Sequence, residues 1–570
     1  MSETILKFLL VTVVTFMVVS AKPLQNNKQT NNTVVPTCDS KIYCQGDLLD
    51  TIQLSGIYSD SKTFVDMSMI YSVNETLKNF SNLMNQTNNE PTQDDLMQFI
   101  STNFVSANET VSWTPSDYNP NPSFLNKITD DEVRTFAQNL VAIWPTLGRK
   151  VSDDVINDPT KHSIIPIPNG FIIPGGRFRE SYYWDSYWII RGLLISGMSE
   201  TAKGMLENFV YLINQYGFIP NGARVYYLNR SQPPLFTLMV SMYIEYTNDT
   251  NILTSIVPYI EQELSWWLEN RTITVKKHGR EYRLAHYQSL SNTPRSESYK
   301  EDYTTCSYYT DSNDQQICYQ SLKSGAETGW DFSSRWFFDD QGGTSTNLTH
   351  IRTQRVVPVD LNSFLYKAFQ SLSDFYRYLG DERKENQWAS LSNDWLQSIE
   401  EVLYNQEDGI WYDYDSILEK PRKYFFPSNF APLWADAYNQ RHKNIYGKRA
   451  AQYFTNVNIT QYLGGIPTSL DQSGEQWDFS NAWPPLQELV VLGLMKSENE
   501  EALQIAHLFG SRWISANIKG YNDSQIMYEK YDAVIPGAFG GGGEYTVQAG
   551  FGWTNGVALH FIKLFYSSDE

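Results

Sequence analysis

The sequence predicts a mostly α-helical protein whose helices pack on more than one side, with no linker dividing the chain. Three observations carry this. Apolar residues recur at helical spacing, as at 202, 205, 206, 209, 212, 213 and 216, which is the i, i+3, i+4, i+7 stripe of a helix face. Many such stretches carry apolar residues on further faces, as helices between two layers do. Alternating strand patterns are few and short.

In chain order, Met1–Ala21 reads as a secretory signal peptide. Lys7 precedes an apolar run from Phe8 to Val19, and Val19-Ser20-Ala21 offers a small-x-small cleavage site. Residues 22–37 are rich in Asn, Gln and Thr and read as a loose leader. Residues 38–570 read as a single domain. Its helices are expected at Val133–Trp144, Ala202–Tyr216 (closed by Gly217), Leu235–Tyr246, Leu253–Leu268 and Phe364–Leu379. One more runs through Trp388, Leu391, Trp395, Ile399, Val402 and Leu403, and others cover Leu486–Met495, Ala502–Ile518 and Val557–Tyr566. Long polar, aromatic, Gly/Pro-rich segments separate them at 163–184, 217–234, 287–301, 324–337, 471–485 and 520–556. Loops of that length are usually functional.

The formal net charge of −20 over 570 residues disfavours nucleic acid and anionic membranes as partners. No run after the signal reaches the ~18 apolar residues of a membrane span, so a secreted, membrane-free protein is expected. Sequons at Asn31, Asn74, Asn79, Asn85, Asn108, Asn229, Asn248, Asn270, Asn347, Asn458 and Asn522 fit an N-glycosylated one. The four cysteines fall as Cys38…Cys44 and Cys306…Cys318. That spacing suits two local disulfides or buried thiols and matches no zinc motif.

The richest stretch is Pro174–Tyr187, P-G-G-R-F-R-E-S-Y-Y-W-D-S-Y. Pro174 and two glycines open it with a turn. Guanidinium forks, carboxylates and aromatic faces then follow, a mixture suited to a neutral polyhydroxylated ligand. The same residues would also suit an aromatic helix start with a structural Arg–Glu pair. The wording P-G-G-R-F-x-E-x-Y-x-W-D-x-Y resembles the first signature of trehalases, inverting glycoside hydrolases that split α,α-trehalose into two glucoses. Pro174, Gly175, Gly176, Arg177, Phe178, Glu180, Tyr182, Trp184, Asp185 and Tyr187 fill its fixed positions. The resemblance extends over residues 38 to 566. It implies an all-α (α/α)6 toroid with long loops forming a cleft at one end, trehalose as the small-molecule partner, and no metal or organic cofactor.

Other chemistries find little support. The seven His residues form no H-E-x-x-H or H-x-H pair, no G-x-S-x-G elbow occurs, and Gly540–Gly543 leads into Glu544 where a P-loop needs Lys. Inverting glycoside hydrolysis needs a carboxylic acid and a carboxylate base ~6.5–9.5 Å apart. The acid must keep its proton near neutral pH, through desolvation or a like charge. Three Trp-Asp pairs offer such a setting, at Asp185, Asp331 and Asp478, and residue chemistry alone does not rank them.

The resemblance does. Glu327-Thr-Gly-Trp-Asp-Phe-Ser-Ser-Arg-Trp336 is similar to the trehalase loop of the general acid, implying Asp331, and Tyr528-Glu-Lys-Tyr-Asp532 to that of the general base, implying Glu529. The first signature then supplies Arg177, Phe178, Tyr182, Trp184 and Asp185 to the sugar. The loop 221–234 supplies Asn221, Arg230, Ser231 and Gln232, and the segment 294–299 supplies Arg295, Ser296 and Glu297. Gly329, Trp483 and Glu544 of the glycine-rich lid complete the implied site. Arg177, Arg230 and Arg295 are expected to keep Glu529 ionised, while Asp331 stays protonated against Trp330. Two positions depart from the family: Ser480 stands for a usual Pro in Gln476–Pro485, and Ser296 for another. Asn229 falls in the expected cleft and is therefore expected to be unglycosylated. A hydrolase for another glucoside, or a trehalose-binding protein without activity, would retain the same scaffold.

Overall fold

The computed structural model describes residues 34–106 and 109–568. The expected signal, most of the leader, and Asn31 and Asn108 lie outside the described residues. From Val35 the chain forms one compact unit.

Among the described residues, twelve helices alternate between an outer and an inner layer. The inner ones are Asp185–Ile195, Phe236–Thr247, Val359–Leu379, Ala431–Ala435, Pro484–Lys496 and Gly552–Tyr566. Each touches the next, and the last touches the first, closing a ring. Asp131–Leu147, Ser199–Tyr216, Ile252–Asn270, Glu382–Ser398, Lys443–Asn456 and Glu500–Ser524 pack outside. This is the expected (α/α)6 toroid.

Sequence explains the layering. Asp185–Ile195 is buried at every position except Arg191, because a helix apolar all round can rest only inside. Ser199–Tyr216 buries Ala202, Met205, Leu206, Phe209, Leu212 and Ile213 and leaves Glu207, Asn214 and Gln215 exposed. Its end is set by Gly217, in the left-handed conformation at φ 84°. Charge also ties the inner ring together: Glu488 accepts from Trp188 Nε1 at 2.7 Å, lies 3.3 Å from Arg191 Nε, and meets His560.

The expected helices are present, most of them longer by a few residues at one or both ends and the one expected from Leu235 starting at Phe236, and the one through Trp388 passes into a π turn at Ile399–Leu403. Asp185–Ile195 escapes a periodicity search because it has no polar face. Asp47–Leu54, Val73–Gln86 and Gln93–Asn103 lie in an N-terminal lobe with its own core. That core includes Tyr182, Tyr226, Tyr227 and Tyr299, so the lobe rests against the loop end of the toroid. Disulfides join Cys38 to Cys44 and Cys306 to Cys318. No helix among the described residues is long and apolar enough to cross a membrane.

Candidate active site

The long inter-helix loops meet over a cavity containing about 660 Å³ of space free of atoms, part of it open to solvent. All the expected site residues line it except Ser231 and Ser296. Ser231 faces away from Arg230 and Gln232, as alternate residues of an extended segment do, and its hydroxyl donates to the Ile219 carbonyl at 2.6 Å. Ser296 is turned to the N-terminal lobe, with Oγ 3.2 Å from Thr37 Oγ1. Asn229 does not line the cavity either. Its amide donates to the Tyr226 carbonyl at 2.9 Å, which already engages the nitrogen that a glycan would need.

Asp185 and Asp331 project into the cavity, whereas Asp478 does not. Asp478 is a buried acceptor for Ser334 N at 2.7 Å, Ser334 Oγ at 2.8 Å and Ser333 Oγ at 3.0 Å, so it pins the turn that follows Asp331. Arg335 anchors the same turn: it is fully buried and forked to Asp360 and Asp413 at 2.7–2.9 Å. Before the turn, Glu327 accepts from Arg271 at 2.7 and 2.9 Å, from Ser231 N at 2.9 Å and from Gln288 N at 3.0 Å, joining three loops. Gly329 has φ +77°, and a Cβ there would sit 2.6 Å from the Trp184 ring, so only glycine fits.

Glu529 is held by the lid. Tyr545 hydroxyl donates to its Oε1 at 3.0 Å, its N–H donates to Gln548 O at 2.9 Å, and Trp553 Nε1 donates to its carbonyl at 3.0 Å. An antiparallel pairing of Asn481–Ala482 with Tyr531–Asp532 fixes this loop against the second signature. Ser480 adds a hydroxyl bond to Asp532 where the family's proline has no donor.

The cavity arginines are already paired. Arg177 forks onto Asp60 of the N-terminal lobe at 2.7 and 3.1 Å. Arg230 meets Glu297 at 2.6 Å and Asn221 at 2.8 Å, and Arg295 meets Asp302 at 2.6 Å and Glu544 at 2.8 Å. Arg230 Nη1 and Glu297 Oε2 are nonetheless buried without a hydrogen-bond partner. A donor and an acceptor left open at a cavity wall are what a sugar hydroxyl would satisfy.

The trehalase family model matches residues 56–566. The chain is 54% identical to a trehalase of Tenebrio molitor over 94% of its own length and 96% of that protein. The chain belongs to the trehalase family. It is also 43% identical to a trehalase of Homo sapiens, covering 92% of this chain and 90% of that one. Among solved structures, neutral trehalase from Saccharomyces cerevisiae superposes with a TM-score of 0.54 at 22% identity, over 70% of this chain and 74% of that one, which supports the fold.

Electrostatics in this trehalase-family cavity separate the carboxyls. Burial pushes Asp331 up to about 7, opposed chiefly by Arg295 and reinforced by Glu544. Burial raises Asp185 well above the usual range, and the charges of Glu529 and Asp331 add to that. Burial also raises Glu529, but Lys530, the Gln548 backbone, Tyr545 and Arg177 oppose it, in that order. One expectation is thereby corrected: the foremost cation acting on Glu529 is Lys530, with Arg177 behind it, whereas Arg230 and Arg295 act on Asp331. Trp330 does not itself line the cavity; it stacks on Trp477 at 5.4 Å, beneath the Arg335 guanidinium.

Tyr227, Ser298, Ala326, Trp477, Tyr545, Phe551 and Trp553 also line the cavity and were not expected as site residues. Trp477 stacks on Trp483 at 3.7 Å with the rings 1° from parallel. Tyr545, Phe551 and Trp553 lie in or beside the glycine-rich lid and its following motif, which was the available signal. Tyr227 and Ser298 lie inside the matched segments 221–234 and 294–299, Trp477 lies in Gln476–Pro485, and Ala326 carried no signal.

Proposed function

We propose that this chain hydrolyses α,α-trehalose to two glucose molecules with inversion, Asp331 acting as general acid and Glu529 as general base. The observation that carries the reading is that these two carboxyls line one cavity in which burial keeps Asp331 protonated to about 7. Asp331 gives its proton to the bridging oxygen as the glycosidic bond breaks. Glu529 takes a proton from water attacking the anomeric carbon whose bond to that oxygen is breaking, on the face opposite the leaving sugar, so the attacked sugar leaves as the β anomer and the other as the α anomer. The hydrogen-bonding groups of Arg177, Asp185, Asn221, Arg230, Gln232, Arg295, Glu297 and Glu544 orient the two sugars, and the Trp184, Trp483 and Phe178 rings exclude water from them. The protein acts after secretion, with its signal removed and N-glycans on exposed sequons such as Asn85.

Incubation of the mature protein with trehalose, followed by proton NMR at early times, tests this. Equal α and β glucose signals before mutarotation are expected. Two α-glucoses, or no release of glucose, would refute it.

A further inference from the structure

Lys530 is fully buried next to Glu529. Its ammonium donates to Gln476 Oε1 at 2.9 Å and lies 4.9 Å from the Trp483 ring centroid and 6.0 Å from that of Tyr545. An ammonium taken out of water costs several kcal/mol unless something compensates it. The arginines facing the cavity each have a carboxylate partner: Asp60 for Arg177, Glu297 for Arg230, and Asp302 with Glu544 for Arg295. Among the described residues Lys530 has no such ion pair, so its charge is left to act on the carboxyls around it.

Gln476 holds it in place. Its Nε2 donates to the Asp331 carbonyl, and its own carbonyl accepts Trp483 Nε1 at 2.8 Å. The lid closes over it at Gly543, where a Cβ would sit 2.8 Å from Gln476 Cβ. The Lys530 carbonyl accepts Gly540 N at 3.0 Å. Gln476 therefore touches the Asp331 backbone with one end of its amide and Lys530 with the other.

We propose that Lys530 is a positioning residue of the reaction: clamped by Gln476, its ammonium keeps Glu529 a carboxylate and ties the loop of the base to the loop of the acid. The inference rests on the reading of Glu529 as base. Lys530, Arg177, Tyr545, Asp185 and Asp331 are the titratable groups that bear on these two residues. Burial pulls Lys530 down to about 8, so it stays cationic through neutral pH. The arginines do not substitute for it, since their charge is shared with their own partners.

The test is the pH profile of kcat/KM on trehalose for Lys530→Gln, Lys530→Met and Lys530→Arg, with folding followed by thermal melting. Gln can still reach Gln476 but carries no charge, so it separates the two contributions. The acidic limb should move up by about one pH unit in the Gln and Met variants, as losing a nearby opposite charge implies. The alkaline limb should move less, and Lys530→Arg should stay near the wild-type profile. An unmoved acidic limb in Lys530→Gln, or equal loss at every pH, would overturn the proposal. So would failure of both neutral variants to fold while Lys530→Arg folds. Glu529→Gln is the control: activity retained there would refute the base assignment itself, whereas an inactive Glu529→Gln with unmoved limbs in the Lys530 variants would refute this inference alone.

Discussion

The Tyr545 hydroxyl donates to Glu529 Oε1 at 3.0 Å, so the glycine-rich lid carries a direct bond to the carboxylate proposed as base. Removing the hydroxyl in Tyr545→Phe takes away a donor that favours the ionised form. Hydrogen bonds to charged groups contribute about 1.5–3 kcal/mol, so kcat/KM at mildly acidic pH should fall roughly 10-fold or more. The loss should shrink as pH rises and Glu529 ionises without help. A loss independent of pH would contradict this role.

Asp331 sets the alkaline side. A general acid works only while protonated, and burial holds Asp331 up to about 7, so kcat/KM should decline above that pH. Asp331→Asn should lower kcat by about 10²–10⁴-fold, the usual contribution of a positioned proton donor, with the melting temperature little changed. Steady-state kinetics across pH on both proteins checks it. Near-normal turnover in the variant would remove the assignment.

Asp185 shares the cavity but is kept neutral by its burial beside two other carboxyls. A neutral carboxyl and a carboxamide present similar hydrogen-bonding ends. Asp185→Asn should therefore keep kcat within about an order of magnitude, unlike the amide at Asp331. Asp185→Ala, which removes the contact, should raise KM. If Asp185→Asn were as inactive as Asp331→Asn, Asp185 would be the better candidate for the acid.

Glu263 predicts a stability effect away from the site. It is fully buried in Ile252–Asn270, bonded by Tyr183, and burial raises it from 4.5 to about 8. Between those values the unfolded chain releases the proton that the folded chain keeps, so stability falls as pH rises through that window and is largest below it. Glu263→Gln removes the proton. Its melting temperature should gain on the wild type at pH 8 relative to pH 5. The same difference at both pH values would contradict the buried neutral state.

Much of the fold was legible because helix period is local. The stripe from Ala202 to Ile213 and the closing Gly217 can be read from sixteen residues, and the helix expected there forms, in the outer layer. The inner helix Asp185–Ile195 was not legible in that way, since burial on every side erases the period that marks a helix. At the site, residue identity in the matched loops named residues of which all but two line the cavity, while seven further lining residues went unnamed. Adjacency misled at Ser231 and Ser296, whose hydroxyls are taken up by Ile219 and Thr37.

The amino-acid sequence by itself determined the helical layers, the loops between them and the side chains that those loops carry to one end of the molecule. Tertiary structure decided which carboxyl of the three Trp-Asp pairs pins the distant Ser333-Ser334 turn, as Asp478 does, and which ones face the cavity. It also decided that the cavity arginines arrive paired with carboxylates while Lys530, among the described residues, meets the Gln476 amide instead. Charge pairing joins residues as distant in sequence as Asp60 and Arg177, and burial alters each group's protonation, so neither can be read from spacing along the chain.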